Sequence, residues 1–243
     1  MQEQQLPEDF KKKINAFVDD LKQLYVDDLI SVILYGSIVS GEHSQAHSNI
    51  NLLVVLKNTD LSTLERSRKL VHKFSNRRID PLFLSRDFVL NFSHIFPIEF
   101  LDMQENYHCY YGADVLKEIK IDRKNLRFQC EQEFKSKLIL LKQQYLRINP
   151  KDRQQLANFL FKSFTSVIHI LRNVIRVKGK EPSYNKETVL REIAGELSVE
   201  NPIFFKIWEI KRNSSKVKAE ELNRLLVDFV FELDKITKKI DQL

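Results

Sequence analysis

Glycine is scarce in this chain, with five residues in 243. This is about 2% of the composition, where proteins average ~7%. Architectures built from many tight hairpins are therefore disfavoured, because such turns use glycine for their positive φ angles. Two of the five glycines, Gly36 and Gly41, lie close together in the sequence, and their segment is therefore a candidate for a functional turn.

Cysteine is also scarce, since only Cys109 and Cys130 occur and their spacing is not that of a metal site. A disulfide framework and a thiolate zinc site are both disfavoured. No apolar run approaches the ~18 residues that a membrane span needs. The opening Met-Gln-Glu-Gln-Gln is unlike a secretory signal peptide, so we expect a soluble, cytoplasmic protein without a membrane partner.

Charge is unevenly distributed along the chain. Residues 1–120 carry a net charge of −3, and residues 121–243 carry a net charge of +9. A basic half is typical of proteins that bind an anionic partner such as a nucleotide or a nucleic acid. Long helices with solvated lysines explain the same asymmetry without a partner, so both interpretations stay open.

The hydrophobic pattern of the first half predicts helices and strands in turn. A helical pattern from Glu8 to near Asp28 precedes two β-rich runs, Ser31–Tyr35 and Ile50–Leu56. After them we predict a helix at about 61–76 and two or three further strands from the runs at 79–84, 96–103 and 107–111.

The second half shows a helical pattern throughout. We predict helices at about 126–145, 152–177, 186–196, 202–212 and 218–240. The predicted fold class is therefore α/β (α+β), with a small mixed sheet flanked by helices at 1–120 and an all-α helical bundle at 121–243.

The glycine cluster lies in the segment ILYGSIVSGEHSQAHSNINLLVVL, residues 33–56. This segment resembles the signature of the nucleotidyltransferase superfamily related to DNA polymerase beta. That signature is a strand, a Gly-Ser turn opening a short helix, a polar segment, and a strand with two carboxylates one residue apart. Gly36 and Ser37 match the turn, Gly41 matches a small residue of the short helix, and Ser48 matches the serine before the carboxylate pair.

The resemblance implies a nucleotide site and a metal site. The Gly-Ser turn would hold the triphosphate of an NTP through backbone N–H groups and the Ser37 hydroxyl. Carboxylates on alternate strand residues, with a third from a neighbouring strand, would hold two Mg²⁺ ions that align the attacking oxygen with the α-phosphate. Asp80, at the start of the next apolar run, matches the third carboxylate.

At the positions of the carboxylate pair, this chain has Asn49 and Asn51. An amide keeps the shape and one oxygen ligand but gives up the negative charge that a Mg²⁺ site needs. We therefore predict a nucleotidyltransferase-fold protein with impaired catalysis. It would retain nucleotide binding at Gly36, Ser37 and Ser48, and Asp80 would be a weak metal ligand.

Two alternatives stay open. One is an active Mg²⁺-dependent nucleotidyltransferase that moves NMP from an NTP to an unknown acceptor, using Asp80 with help from Glu99 or Asp102. The other is a module that binds nucleic acid through the basic helical half. A protein partner is also compatible with the sequence.

A wider resemblance and several single residues complete the prediction. Residues 96–116 and 126–146 look like a group of prokaryotic nucleotidyltransferase-domain proteins with a helical C-terminal half.

The basic residues near the site and in the helical half either contact phosphate or cap helix ends, where cations are favoured. These residues are Arg77 and Arg78 beside Asp80, and Arg172, Arg176, Lys178 and Lys180 in the helical half. His43 and His47 are expected to be exposed loop histidines.

Overall fold

The computed structural model describes residues 6, 8–40, 49–198, 200 and 202–242. The chain separates into two compact units, Met1–Ile121 and Asp122–Leu243. The first unit contains the sheet, and the regular elements described for the second unit are helices. Within the described ranges, no helix combines the length and the apolar character that crossing a lipid bilayer requires.

In the described residues, the first unit alternates helices with four strands of one sheet. The strands are β1 (Leu29–Tyr35), β2 (Ile50–Leu56), β3 (Ile79–Ser85) and β4 (Tyr107–Gly112). The helices are α1 (Glu8–Tyr25), α2 (Ser37–Ser40), α3 (Leu61–Glu65), α4 (Arg68–Ser75), α5 (Arg86–Phe92) and α6 (Pro97–Glu105), with 3₁₀ turns at Val26–Asp28 and Val115–Glu118. The strand order is β3-β2-β1-β4. Strand β1 pairs antiparallel with β2 and β4, and β2 pairs parallel with β3.

Helices cover both faces of this sheet, because alternate residues of each strand point to opposite faces. On one face, Phe17 of α1 and Phe74 of α4 pack edge-to-face with ring centroids 5.2 Å apart. On the other face, Val89 of α5 and Phe100 of α6 belong to a second core cluster. The central strands are apolar on both faces, as their continuous apolar runs predict.

The second unit is a bundle of helices. These are α7 (Arg123–Tyr145), α8 (Arg153–Val177), α9 (Lys186–Leu197), α10 (Pro202–Arg212) and α11 (Ala219–Ile240). The side chains of Asp122, Asp152 and Asn185 accept hydrogen bonds from backbone N–H groups in the first turns of α7, α8 and α9, which stabilises these helix starts. Phe204 and Phe229 pack in its interior with ring centroids 5.1 Å apart. The predicted fold class, a mixed sheet with flanking helices followed by a helical bundle, is confirmed.

The strand predicted at 96–103 is wrong, because residues 97–105 form helix α6. Pro97 occupies the first turn, where its missing N–H costs no hydrogen bond. Glu99 places a negative charge near the positive end of the helix. A short apolar run does not by itself distinguish a strand from a buried helix.

The helix predicted at 61–76 is divided into α3 and α4 by a turn at Arg66 and Ser67. The Tyr25 hydroxyl donates a hydrogen bond to the Thr63 carbonyl at 3.0 Å. In a continuous α-helix, that carbonyl would accept from the Ser67 N–H. The Ser67 N–H instead bonds the Leu64 carbonyl at 3.0 Å. A contact from α1, distant in sequence, therefore accompanies the break.

Helix α1 ends before the predicted position, because Val26 has a φ of +46°. This left-handed conformation costs a β-branched residue about 1–2 kcal/mol. Little of the Val26 side chain is buried to offset this cost, since 63% of the residue is exposed. We expect Val26→Asn to raise the free energy of unfolding by about 0.5–1 kcal/mol, because asparagine tolerates this conformation. The urea midpoint at unchanged slope measures the effect.

Val227→Asn is the matched control, because Val227 is also exposed, at 46%, but lies within helix α11. We expect this variant to be neutral or slightly destabilised, since asparagine offers no advantage inside a helix. An equal gain in both variants would show that loss of an exposed valine, rather than relief of the backbone, is responsible.

Candidate functional site

One row of side chains crosses the sheet at the end where β1 leads into α2. In the strand register, Tyr35 lies opposite Asn51 and Tyr107, and Asn51 lies opposite Asp80. Alternation along the strands places all four residues on the face that packs against α5 and α6. We call this set, in the order Asp80, Asn51, Tyr35 and Tyr107, the polar row.

Gly36 turns the chain directly after the polar row. Its φ is +85°, and a Cβ at this position would lie 3.2 Å from Nδ2 of Asn51. The Gly36 N–H donates to the Asn106 carbonyl at 3.0 Å, and the Gly36 carbonyl accepts from the Val39 N–H at 2.9 Å. The backbone therefore passes close to the Asn51 amide and continues into α2, with Ser37 as its first residue. Only glycine makes this approach without strain.

Asp80 is the acidic member of the polar row and is exposed to solvent. Burial raises the pKa of the Tyr35 phenol, and the negative charge of Asp80 raises it further. The half-buried amide of Asn51 lies between them in the register. The structure thus places Asn51 and Asp80 on adjacent strands and adds Tyr35. Tyr35 is not among the site residues predicted from the sequence, although its place as the last strand residue before Gly36 is a signal for it.

The other predicted site residues lie at the edge of this region or beyond it. Asn49 immediately precedes β2 and is exposed. Ser48, Gly41, His43 and His47 lie outside the described residues. Their roles stay predictions.

The residues of the polar row do not fit a pair of Mg²⁺ ions. Asp80 supplies the row's one carboxylate, and an amide oxygen carries no compensating charge. In the part of the chain that the structure describes, no three His, Cys, Asp or Glu side chains are grouped to hold a metal ion. The two-metal mechanism needs several anionic ligands, and the row offers one.

Glu99 and Asp102 lie on α6 rather than on a strand. Being three residues apart, they share one side of the helix, with Glu99 exposed and Asp102 half-buried. The opposite end of α6 leads to Asn106, whose carbonyl accepts the Gly36 hydrogen bond. Glu99 is roughly 10 Å from Asn106 along the helix axis. A supporting role for either acid beside Asp80 stays a prediction.

Arg77 and Arg78 lie in the turn between α4 and β3. The Arg77 guanidinium lies over the Phe74 ring, 4.8 Å from its centroid, and the Arg77 N–H bonds the Phe74 carbonyl at 2.9 Å. Arg78 has a φ of +63°, and its carbonyl accepts from the Ile50 N–H at 2.7 Å. Both arginines therefore contribute to joining α4 and β3 to the start of β2, and contact with a phosphate stays a prediction.

Comparison with known proteins identifies the fold. No family model matches this chain, and no curated protein matches it. A solved structure of spectinomycin adenyltransferase from Enterococcus faecialis, with ATP and spectinomycin, is similar over 95% of this chain and 99% of that one, at a TM-score of 0.60 and 13% sequence identity. This chain has a nucleotidyltransferase fold.

The predicted nucleotidyltransferase fold is thereby confirmed, whereas 13% identity transfers neither activity nor substrate. A nucleotidyltransferase-like protein from Exiguobacterium sibiricum also matches, over 93% of this chain and 74% of that one. Its TM-score is 0.38 and its identity 13%, so it adds nothing to the assignment of the nucleotidyltransferase fold.

We expect Gly36→Ala to lower the free energy of unfolding by about 1–3 kcal/mol, because a non-glycine residue at positive φ is strained. Its Cβ would also press on the Asn51 amide. Gly195→Ala is the matched control, since a Cβ at this position in α9 meets nothing within 4 Å. This control is expected to stabilise by about 0.5–1 kcal/mol. Urea unfolding measures both, and a neutral Gly36→Ala would contradict the turn geometry.

We expect Asp80→Asn to lower the pKa of Tyr35, because the phenolate loses a repulsive charge while the effect of burial remains. Ultraviolet titration of tyrosine measures the shift, and Tyr35→Phe identifies which transition belongs to Tyr35. Tyr107 is an internal control. The pKa of Tyr107 is raised by burial and by Asp114, which accepts a hydrogen bond from the Tyr107 hydroxyl at 3.2 Å. We therefore expect Asp80→Asn to leave the pKa of Tyr107 unchanged. An unchanged Tyr35 transition would show that the phenol and the Asp80 carboxylate are not neighbours.

Proposed function

We propose that this chain binds a nucleoside triphosphate at the Gly36–Ser37 turn and lacks efficient Mg²⁺-dependent nucleotidyl transfer. The observation that carries the proposal is the polar row, in which Asn51 lies between Tyr35 and Asp80. In the superfamily whose signature the segment resembles, the positions of Asn49 and Asn51 hold carboxylates. This chain keeps the turn and one acid, and it has amides at the other two positions.

Three features support nucleotide binding. The spectinomycin adenyltransferase of the same fold was solved with ATP. Gly36 brings bare backbone to the site, which leaves room for a phosphate to approach. The Asn51 amide and the Tyr35 hydroxyl can each donate a hydrogen bond to a phosphate oxygen. A carboxylate at position 51 would instead repel an NTP in the absence of metal.

The same residues argue against efficient transfer. Moving a nucleotidyl group to an acceptor develops negative charge on the departing pyrophosphate, and cationic groups or metal ions must stabilise it. Asp80 alone is a poor anchor for two Mg²⁺ ions. Tyr35 does not replace the missing carboxylates as a base, because its raised pKa keeps the phenol protonated at neutral pH.

Isothermal titration calorimetry with ATP, in EDTA and in Mg²⁺, tests the proposal on the full chain. We expect ATP to bind with similar affinity in both conditions. The double variant Asn49→Asp/Asn51→Asp should bind ATP more weakly in EDTA, because the new carboxylates repel the triphosphate. In Mg²⁺ it should bind at least about tenfold more tightly than the natural chain, which corresponds to 1.4 kcal/mol.

The control Asn213→Asp/Asn223→Asp adds the same charge to the second unit and should leave both ATP affinities unchanged. Absence of binding by ATP and the other NTPs would contradict the nucleotide site. Label transfer from an NTP to an acceptor, abolished by Asp80→Ala, would contradict impaired catalysis and favour the active transferase. RNA binding that falls steeply with salt, without NTP binding, would favour a role for the basic helical half.

A further inference from the structure

A pocket of about 630 Å³ lies wholly within the second unit. Its lining combines one residue of α10, Lys211, with six residues of α8: Asn158, Phe161, Lys162, Thr165, Ser166 and His169. The α8 residues recur at steps of three and one, so they form one continuous face of the helix. A volume of this size suits a small-molecule ligand. We call this site the lysine pocket.

The charge of the lysine pocket is not balanced. None of its lining residues carries a carboxylate. Other lysines of this unit have acidic partners, as Lys180 has in Glu196 and Lys206 has in Glu221. Across the described ranges, neither Lys162 nor Lys211 takes part in an ion pair. The pocket therefore presents two uncompensated ammonium groups.

Lys211 is held in place by neutral groups. Its Nζ donates to the Phe161 carbonyl at 3.2 Å and to the Thr165 hydroxyl. An ammonium group has three donors, so one remains for a ligand. Burial lowers the pKa of Lys211, and the positive charge of Lys186 lowers it further. A bound anion would relieve both the desolvation and the like-charge repulsion.

We propose that the lysine pocket binds the phosphoryl group of a small phosphorylated molecule. Lys211 and Lys162 are its charged contacts, and the Ser166 hydroxyl is a further donor. A phosphate monoester suits this set because its oxygens accept several charge-assisted hydrogen bonds at once. Phe161, half-buried in the lining, provides apolar surface for the organic part of the ligand. The proposal is independent of the nucleotide site, because its residues belong to the other unit.

NMR titration of the ¹⁵N-labelled full chain with inorganic phosphate and with glucose 6-phosphate, at constant ionic strength, tests this proposal. We expect saturable amide shifts at residues 158–169 and around Lys211. Lys211→Met and Lys162→Met should each weaken binding of both probes by about tenfold or more, through loss of a charge-assisted contact. The matched control is Lys206→Met, which removes the same charge from α10 outside the pocket and should leave the affinity unchanged.

Three results would overturn the proposal. Equal weakening of phosphate binding by Lys206→Met would show that the loss comes from the change in net charge and not from a contact in the lysine pocket. Shifts confined to residues 36–40 and 49–51 would place the phosphate in the first unit instead. Binding of single-stranded RNA through these lysines, with no binding of either small phosphate, would make the pocket part of a nucleic-acid surface. If Lys211→Met fails to fold, phosphate binding by Lys162→Met tests the proposal, because Lys162 is exposed.

Discussion

Strand β2 pairs in parallel with β3 and antiparallel with β1, and this double pairing aligns Asp80, Asn51 and Tyr35 in the polar row. A shift of one residue would turn Asn51 toward the core that contains Phe17 and Phe74. Leu52 packs in one core and Leu53 in the other, so a shift would exchange two apolar residues and bury both again. The cost of the shift lies in burying the Asn51 amide away from its partners. The geometry of the polar row therefore depends on strand pairing together with the polar character of Asn51.

An amide at position 51 changes the electrostatics of the unliganded sheet. A carboxylate there would lie opposite Asp80 on the neighbouring strand, where two like charges repel and one of them is driven toward protonation. Asn51 removes that repulsion and keeps the capacity to donate and accept hydrogen bonds. The same neutrality weakens attraction for Mg²⁺. A negative charge at position 51 would thus lower the stability of the unliganded sheet and raise its affinity for metal. Such a conflict between stability and function is common at functional sites.

Local patterns were sufficient for much of this fold. The prediction for β2 is confirmed to the residue, because a continuous apolar run bounded by polar residues is typical of a strand buried on both faces. Such patterns do not predict contacts between residues that are distant in the sequence. The break between α3 and α4 involves a hydroxyl from α1. The resemblance supplied Asn51 and Asp80 as site candidates. The place of Tyr35 before Gly36 was visible in the sequence, but its position opposite Asn51 needed the strand register, which hydrophobic periodicity alone does not determine.

The net charge of +9 over residues 121–243 does not describe one basic surface. At the end of α8, Arg172 is buried, donates to the Ser183 carbonyl at 3.0 Å and lies over the Tyr184 ring at 4.1 Å. These contacts engage its guanidinium within the unit. The lysine pocket differs, because its ammonium groups share a cavity with hydroxyls and no acid. Burial and pairing decide which charges attract an anion, so the binding capacity of this unit depends on a few residues of α8 and α10 more than on its composition.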